Sequence, residues 1–360
     1  GVSDTPKFDQ LITCEDGKIT AIEPYHTINE DVVEANVVTP GFFNCHVHIM
    51  EPVGFGTDKE FTFIEKTFYT QKHLEDYINS GVTFIRVVGT ENDYDMDIRD
   101  CVDAGLVKGP HMLCAGRCIC MTGGHGWQGG IEADGVDECR KAARTLLKKG
   151  VDLIKIMATG GVMTKGVEPG SAQLTQEEMA AIIEEAHKAG RKTATHAQGT
   201  QGIKNALYAG IDSIEHGIFL DQECIDYMKE HGTYLVPTLV APQCIVEKGV
   251  EAGIADYMVK KAIYVKPENS RPYINLAGVY ERRADHEFAM EELKTAIILN
   301  PNYKEGIYRV ANMSLETKKY PQALEYYSRL LGDATYNNNA IIGVANTYYE
   351  MSKDRGENNH

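Results

Sequence analysis

The 360-residue sequence predicts an α/β chain: a (β/α) TIM-type barrel with seven recognisable strands and no eighth, followed by an all-α array of helical repeats. Three observations predict it. Strand-like and helix-like segments alternate from residue 41 to residue 238. Histidines and one lysine sit within or at the ends of those strands, where a barrel collects its chemistry. Beyond residue 265 the alternation stops and a 34-residue period takes over.

The strands are expected at 41–48, 82–89, 111–115, 151–157, 192–196, 211–216 and 233–238. Helical patterns such as DECRKAARTLLKKG and TQEEMAAIIEEAHKAG separate them, and strands that alternate with helices pair in parallel through right-handed crossovers. The second of these helices should open on a capping box, Thr175 with Glu178, and stop at Gly190. Before the barrel, ITCEDGKITAIEP reads as a hairpin turning at Asp16-Gly17.

Composition changes near residue 265. Residues 1–265 hold all 9 cysteines, 10 of 12 histidines and 29 of 34 glycines, whereas residues 266–360 hold 10 of 19 tyrosines. Net charge is −15 before the change and −1 after it. Two domains are therefore expected, 36–265 and 266–360, preceded at 1–35 by a small β segment. The total charge of −16 disfavours a nucleic-acid partner, since phosphate binding needs a basic face. No apolar run approaches the ~20 residues of a membrane span. An odd number of cysteines without framework spacing reads as reduced thiols in a cytoplasmic protein, and Cys118-x-Cys120 as structural.

The candidate chemistry starts with His46 and His48 in VVTPGFFNCHVHI. Alternate strand residues share a face, so these two imidazoles point together and can grip one divalent ion. His196 in KTATHAQG and His216 in IDSIEHG are strand-end histidines, either further ligands or buried hydrogen-bonded rings. Lys155 in VDLIKIMATGG lies inside an apolar strand. Burial there lowers its pKa, and a neutral amine can add carbon dioxide to give a carbamate able to bridge two metals. The alternative is an ordinary lysine paired with a carboxylate such as Asp152, or reaching outward. GHGWQG at 124–129 satisfies G-x-G-x-x-G, but no helix opens from it directly, so a glycine-rich loop over the barrel mouth is the better reading.

These motifs together resemble the amidohydrolase superfamily over residues 35–262, and within it the imidazolonepropionase-like and Xaa-Pro dipeptidase branch. The resemblance implies two divalent metal ions, zinc by preference, held by His46, His48, carboxylated Lys155, His196 and His216. It implies a bridging hydroxide that attacks an amide carbonyl in small N-acyl amino acids or dipeptides. It also makes His125 of MTGGHGW, Tyr234 of HGTYLVPTL and Arg86 of TFIRVVG candidate substrate-binding residues, against the alternatives of a loop histidine, a packed strand tyrosine and an internal ion pair.

The family's last barrel strand ends in an aspartate that binds metal and handles a proton. No counterpart is identifiable here: Asp256 precedes any eighth strand, and Asp333 in LLGDAT sits among the repeat helices. Removing a general base typically costs about 10²–10⁴-fold in rate. An impaired hydrolase is therefore expected, joined near 262–268 to the repeats by a natural or artificial fusion. The repeats resemble tetratricopeptide units: Leu276, Val310 and Val344 are 34 apart, as are Ala277, Ala311 and Ala345, and Ala289 and Ala323. Two and a half such units imply a groove for a peptide or protein segment, and hence a second reading as a binding module with the barrel as passenger. The sequence is compatible with an oligomer.

Overall fold

The computed structural model describes residues 5, 7–27, 32–50, 60–248, 254, 258, 261, 262, 270–282 and 284–357. The chain falls into two compact units, Gly1–Pro40 and Gly41–His360. In the first, β1 (Gln10–Glu15) and β2 (Lys18–Pro24) pair antiparallel. Asp16 and Gly17 both take positive φ, 50° and 73°, which is the primed turn that joins tightly twisted strands.

In the second unit every strand is parallel to its neighbours. β3 (Phe42–Val47), β4 (Val82–Val87) and β5 (His111–Cys114) form one sheet in that order. Short strands β6 (Ile119–Cys120) and β7 (Ile131–Glu132) follow, then β8 (Leu153–Met157), β9 (Lys192–Ala197), β10 (Ser213–His216) and β11 (Tyr234–Val236). These six are ordered β11-β10-β9-β8-β6-β7. β5 meets the start of β8 through Asp152, whose N–H donates to the Cys114 carbonyl at 2.8 Å and whose Oδ2 accepts from the Cys114 N–H at 3.0 Å. The seven expected strands are thus present within a few residues of their expected limits. β6 and β7, two residues each, are too short to leave a hydrophobic period, so sequence reading missed them.

The helices between the strands are α1 (Phe63–Asn79), α2 (Tyr94–Asp103), α3 (Gly135–Lys149), α4 (Gln176–Lys188), α5 (Thr200–Tyr208), α6 (Gln222–His231) and α7 (Val240–Lys248). α3 buries Cys139, Ala142, Ala143 and Leu146, a one-sided stripe. α4 opens on the reciprocal Thr175–Glu178 capping box, and Gly190 just beyond it has φ 70°. Ile85, Ile154, Ile156, Ile182, Ile203 and Ile214 fill one core between strands and helices. The 124–129 loop makes turns, and α3 starts only at Gly135, so no helix opens from the glycine-rich segment.

Among the described residues β3 pairs only with β4, and β11 only with β10. Their side chains are correspondingly open: Phe42 and Phe43 are 57% and 71% exposed, Tyr234 and Leu235 76% and 42%. Asp256 and most of the 262–268 join lie outside the described residues.

The tail holds α8 (Ser270–Arg282), α9 (His286–Leu299), α10 (Lys304–Glu316), α11 (Tyr320–Ser328) and α12 (Asn337–Glu357). Its 34-residue period is visible in the backbone. Ala284 and Lys318 both have φ 57°, and the bonds Ala284 N–H to Glu281 O and Asp285 N–H to Tyr280 O recur as Lys318 to Leu315 and Lys319 to Ser314. Leu276, Ala277, Ala289, Val310, Ala311 and Ala323 are buried, whereas Ala345 on the last helix is exposed. Val162, from the loop after β8, is buried in the same apolar cluster as Leu276, Ala277 and Tyr280. Lys261 Nζ donates to the Thr164 carbonyl at 2.8 Å and to that of Val167. Packing therefore runs across residue 265. No described helix is long and apolar enough to cross a membrane.

The start of α5 tests how closely this loop is seated. A Cβ on Gly199 would lie 2.0 Å from the Gly170 carbonyl oxygen and 2.7 Å from its carbon, both backbone atoms. Gly199→Ala is expected to destabilise the protein by about 1–3 kcal/mol, read as a lower urea midpoint at unchanged m. An unchanged midpoint would mean that the 168–171 loop yields freely.

Candidate active site

Five imidazoles meet at the C-terminal ends of the strands. His46 and His48 come from the end of β3, His216 ends β10, His196 lies near the end of β9, and His125 rises from the loop between β6 and β7. Their ring centroids follow one another at 5.3 Å (His48–His46), 5.0 Å (His46–His216), 4.4 Å (His216–His196) and 4.3 Å (His196–His125). Residues far apart in sequence converge because parallel strands all present their C-termini on one side.

Each ring is oriented by a partner. His46 Nδ1 is 2.7 Å from Glu215 Oε2, His48 Nδ1 3.0 Å from the Gly89 carbonyl, His216 Nδ1 2.5 Å from Thr238 Oγ1, and His125 Nδ1 2.9 Å from Thr164 Oγ1. His196 Nε2 lies a longer 3.4 Å from the Gly160 carbonyl. Burial pushes His46 down to about 4, against the pull of Glu215, and His125 to about 3. Burial likewise holds His196 and His216 well below the usual imidazole range. These four rings are neutral at pH 7 and keep the lone pairs that metal ligation needs. His216 has φ 73°, a left-handed backbone that costs a non-glycine residue about 1–3 kcal/mol and is common at functional positions. A Cβ on Gly161 would sit 2.5 Å from His125 Nε2, so only glycine lets that loop pass the ring.

Lys155, in the middle of β8, is 1% exposed, and its Nζ has no hydrogen-bond partner among the described residues. Asp152 does not serve it; that carboxylate takes Arg99 Nη1 at 2.6 Å. Burial lowers the Lys155 amine to about 8, with Glu215 pulling the other way. An orphaned, fully buried amine beside neutral imidazoles fits a lysine that gains oxygen atoms and a metal partner. No three histidine, cysteine or carboxylate groups among the described residues form a finished metal cage, so the fit rests on the orphaned amine and the converging rings.

Glu215 escaped the sequence reading. It is fully buried, with Oε2 on His46 and Oε1 accepting from Arg86 Nη2 at 2.7 Å and Ser213 Oγ at 2.8 Å. Burial works to raise its pKa, but His46, Lys155 and Arg86 outweigh it and hold the carboxyl below its ordinary value. The signal was available: a carboxylate directly before the strand-end histidine of IDSIEHG. Arg86 is committed to this internal ion pair, and its Nε also donates to the Cys45 carbonyl at 2.7 Å. Tyr234 stands level with Ser213 on the edge strand β11, is 76% exposed, and has no described contact with the histidine rings. Thr164 and Thr238, which orient His125 and His216, had no motif to announce them.

The strands thus carry histidines at their C-terminal ends and a buried lysine inside β8. The chain belongs to the amidohydrolase family, whose model matches residues 37–291. Ochratoxinase from Aspergillus niger is 27% identical over 266 residues, covering 64% of this chain and 53% of that enzyme. The chain thus spans about half the length of the curated relatives it matches. Among solved structures, a Xaa-Pro dipeptidase with bound methionine superposes with a TM-score of 0.61 at 27% identity, covering 84% of this chain and 81% of that one. A prolidase complexed with N-methylphosphonate-L-proline gives 0.61 at 25% identity over 78% and 80%.

The buried amine makes stability depend on pH. In metal-free, carbonate-free protein, native Lys155 loses its proton near 8 while the unfolded side chain keeps it to 10.5. The unfolded state then binds more protons in between, so stability should rise with pH from about 8 to 10.5, by up to about 3 kcal/mol. Lys155→Met should flatten that rise in urea midpoints. An identical pH profile in both proteins would show that the amine is not buried uncompensated.

Proposed function

We propose that the chain is a metal-dependent hydrolase of amide or peptide bonds in small N-acyl amino acids or dipeptides, working below the family's usual rate. The observation that carries this reading is the orphaned Lys155 amine, buried beside a run of neutral imidazoles. His46, His48, His196, His216 and carboxylated Lys155 would hold two divalent ions, zinc by preference. When bound, such ions supply Lewis-acid polarisation of a carbonyl and make water a nucleophile at neutral pH. The protein's own groups orient and exclude water: Glu215, Gly89 and Thr238 fix the rings, and His125, held by Thr164, is the nearest candidate to meet a substrate carbonyl. Amino-acid ligands in the solved dipeptidase and prolidase support a small amino-acid substrate, with proline on the leaving side as one form.

The low rate follows from the missing aspartate. Among the described residues no strand stands between β11 and β3 to carry it. Both Glu215 oxygens are taken, and Asp333 caps the tail backbone by accepting from the Thr335 and Tyr336 N–H groups. Protein prepared with zinc and bicarbonate should contain about two metals per chain by elemental analysis, and His46→Ala with His48→Ala should lower that content sharply. Supplying an eighth strand with an aspartate should raise hydrolysis of N-acyl amino acids about 10²–10⁴-fold. Metal-free protein under those conditions would sink the reading.

The recurring turns at Ala284 and Lys318 favour a second reading, a tetratricopeptide-like module that binds a peptide. A groove of about 210 Å³ lined by Tyr308, Asn312, Tyr327, Asn339 and Asn346 is its candidate seat. On that reading, residues 266–360 expressed alone should show a cooperative helical melt by circular dichroism. A non-cooperative melt would remove its support, and the burial of Val162 among the tail side chains counts against the barrel as a mere passenger.

A further inference from the structure

Glu215 sits where three strands from two sheets meet. Its Oε2 is 2.7 Å from His46 Nδ1 on β3, while Oε1 takes Arg86 on β4 and Ser213 on its own strand β10. Arg86 closes the figure by donating to the Cys45 carbonyl, next to His46, and to Ser213 Oγ at 3.2 Å. β3 and β10 share no ladder, so this side-chain brace reaches across the barrel interior where backbone pairing does not. Ion-paired with the Arg86 guanidinium at 2.7 Å, Glu215 is a carboxylate and accepts at both oxygens. The contact with His46 then requires the imidazole to donate from Nδ1.

We propose that Glu215, held by Arg86 and Ser213, is a positioning residue that fixes His46 in its Nδ1-protonated tautomer and leaves Nε2 as the ligating nitrogen. This rests on the metal-site reading above and adds to it the group that selects the ligating atom. A carboxylate behind a ligating histidine sets its tautomer, its orientation and its basicity. Glu215 is not the missing proton acceptor, because all its contacts are already made and it has no exposed surface.

Two measurements test the assignment. ¹⁵N NMR of metal-free wild-type protein, with His46 assigned through His46→Gln, should show Nδ1 protonated; an Nε2-protonated ring would overturn the proposal, and this needs no Glu215 variant to fold. In Glu215→Gln the amide oxygen stays with Arg86 and the NH₂ turns to His46, which must then accept at Nδ1 and carry its proton on Nε2. The His46 tautomer should flip, and affinity for zinc alone, titrated against a chelating dye, should fall about 10–100-fold. An unchanged tautomer together with unchanged zinc affinity would overturn it. If wild-type protein takes up no zinc, the hydrolase reading fails, and the wild-type tautomer by itself decides whether Glu215 positions His46.

Discussion

Charge inside this sheet is balanced across the barrel rather than along any one strand. Glu215 on β10 answers Arg86 on β4 and His46 on β3, and every one of those side chains is largely withdrawn from water. A buried charge without a partner is strongly destabilising, so this set has to be kept or lost as a unit. Its position matters for the architecture, because β3 and β11 have no ladder on their outer sides among the described residues. Lys155 is the exception to the balance. It shares the interior with Glu215 yet makes no hydrogen bond among the described residues.

The same interior is tied to the helical tail. The loop after β8 passes His125 at Gly161, buries Val162 among Leu276, Ala277 and Tyr280, and pairs Thr164 with His125. Lys261 then fastens that loop through two carbonyls. One short stretch of backbone thus touches a candidate substrate contact on one side and the repeat helices on the other.

The family relation and the open strand edges pull in different directions. Membership in the amidohydrolase family explains why histidines and a lysine converge at the strand ends. Phe42, Phe43, Tyr234 and Leu235 are exposed on the two strands that have one partner each among the described residues, and sheet edges of this kind invite other chains to pair.

The strands, most of the barrel helices and the 34-residue period were legible because each leaves a local trace: alternation, a capping box at Thr175–Glu178, recurring alanines at 277 and 311. The histidines were legible for the same reason, as motifs at strand ends. What sequence could not supply was which residues meet. Arg86 read as an internal ion-pair partner ahead of a substrate contact, but only the structure shows its partner, Glu215, 129 positions away. Tyr234, a site candidate by motif, lies on β11, which pairs only with β10 among the described residues. Glu215, Thr164 and Thr238 carry no motif, because orienting a ring takes only a suitable atom at hydrogen-bond distance. Distance across a barrel is set by strand order and register, which emerge only when the whole sheet is assembled. The sequence by itself determined the elements and the residue types gathered at the strand ends; the tertiary structure decided their partners, since burial and proximity are properties of the packed chain.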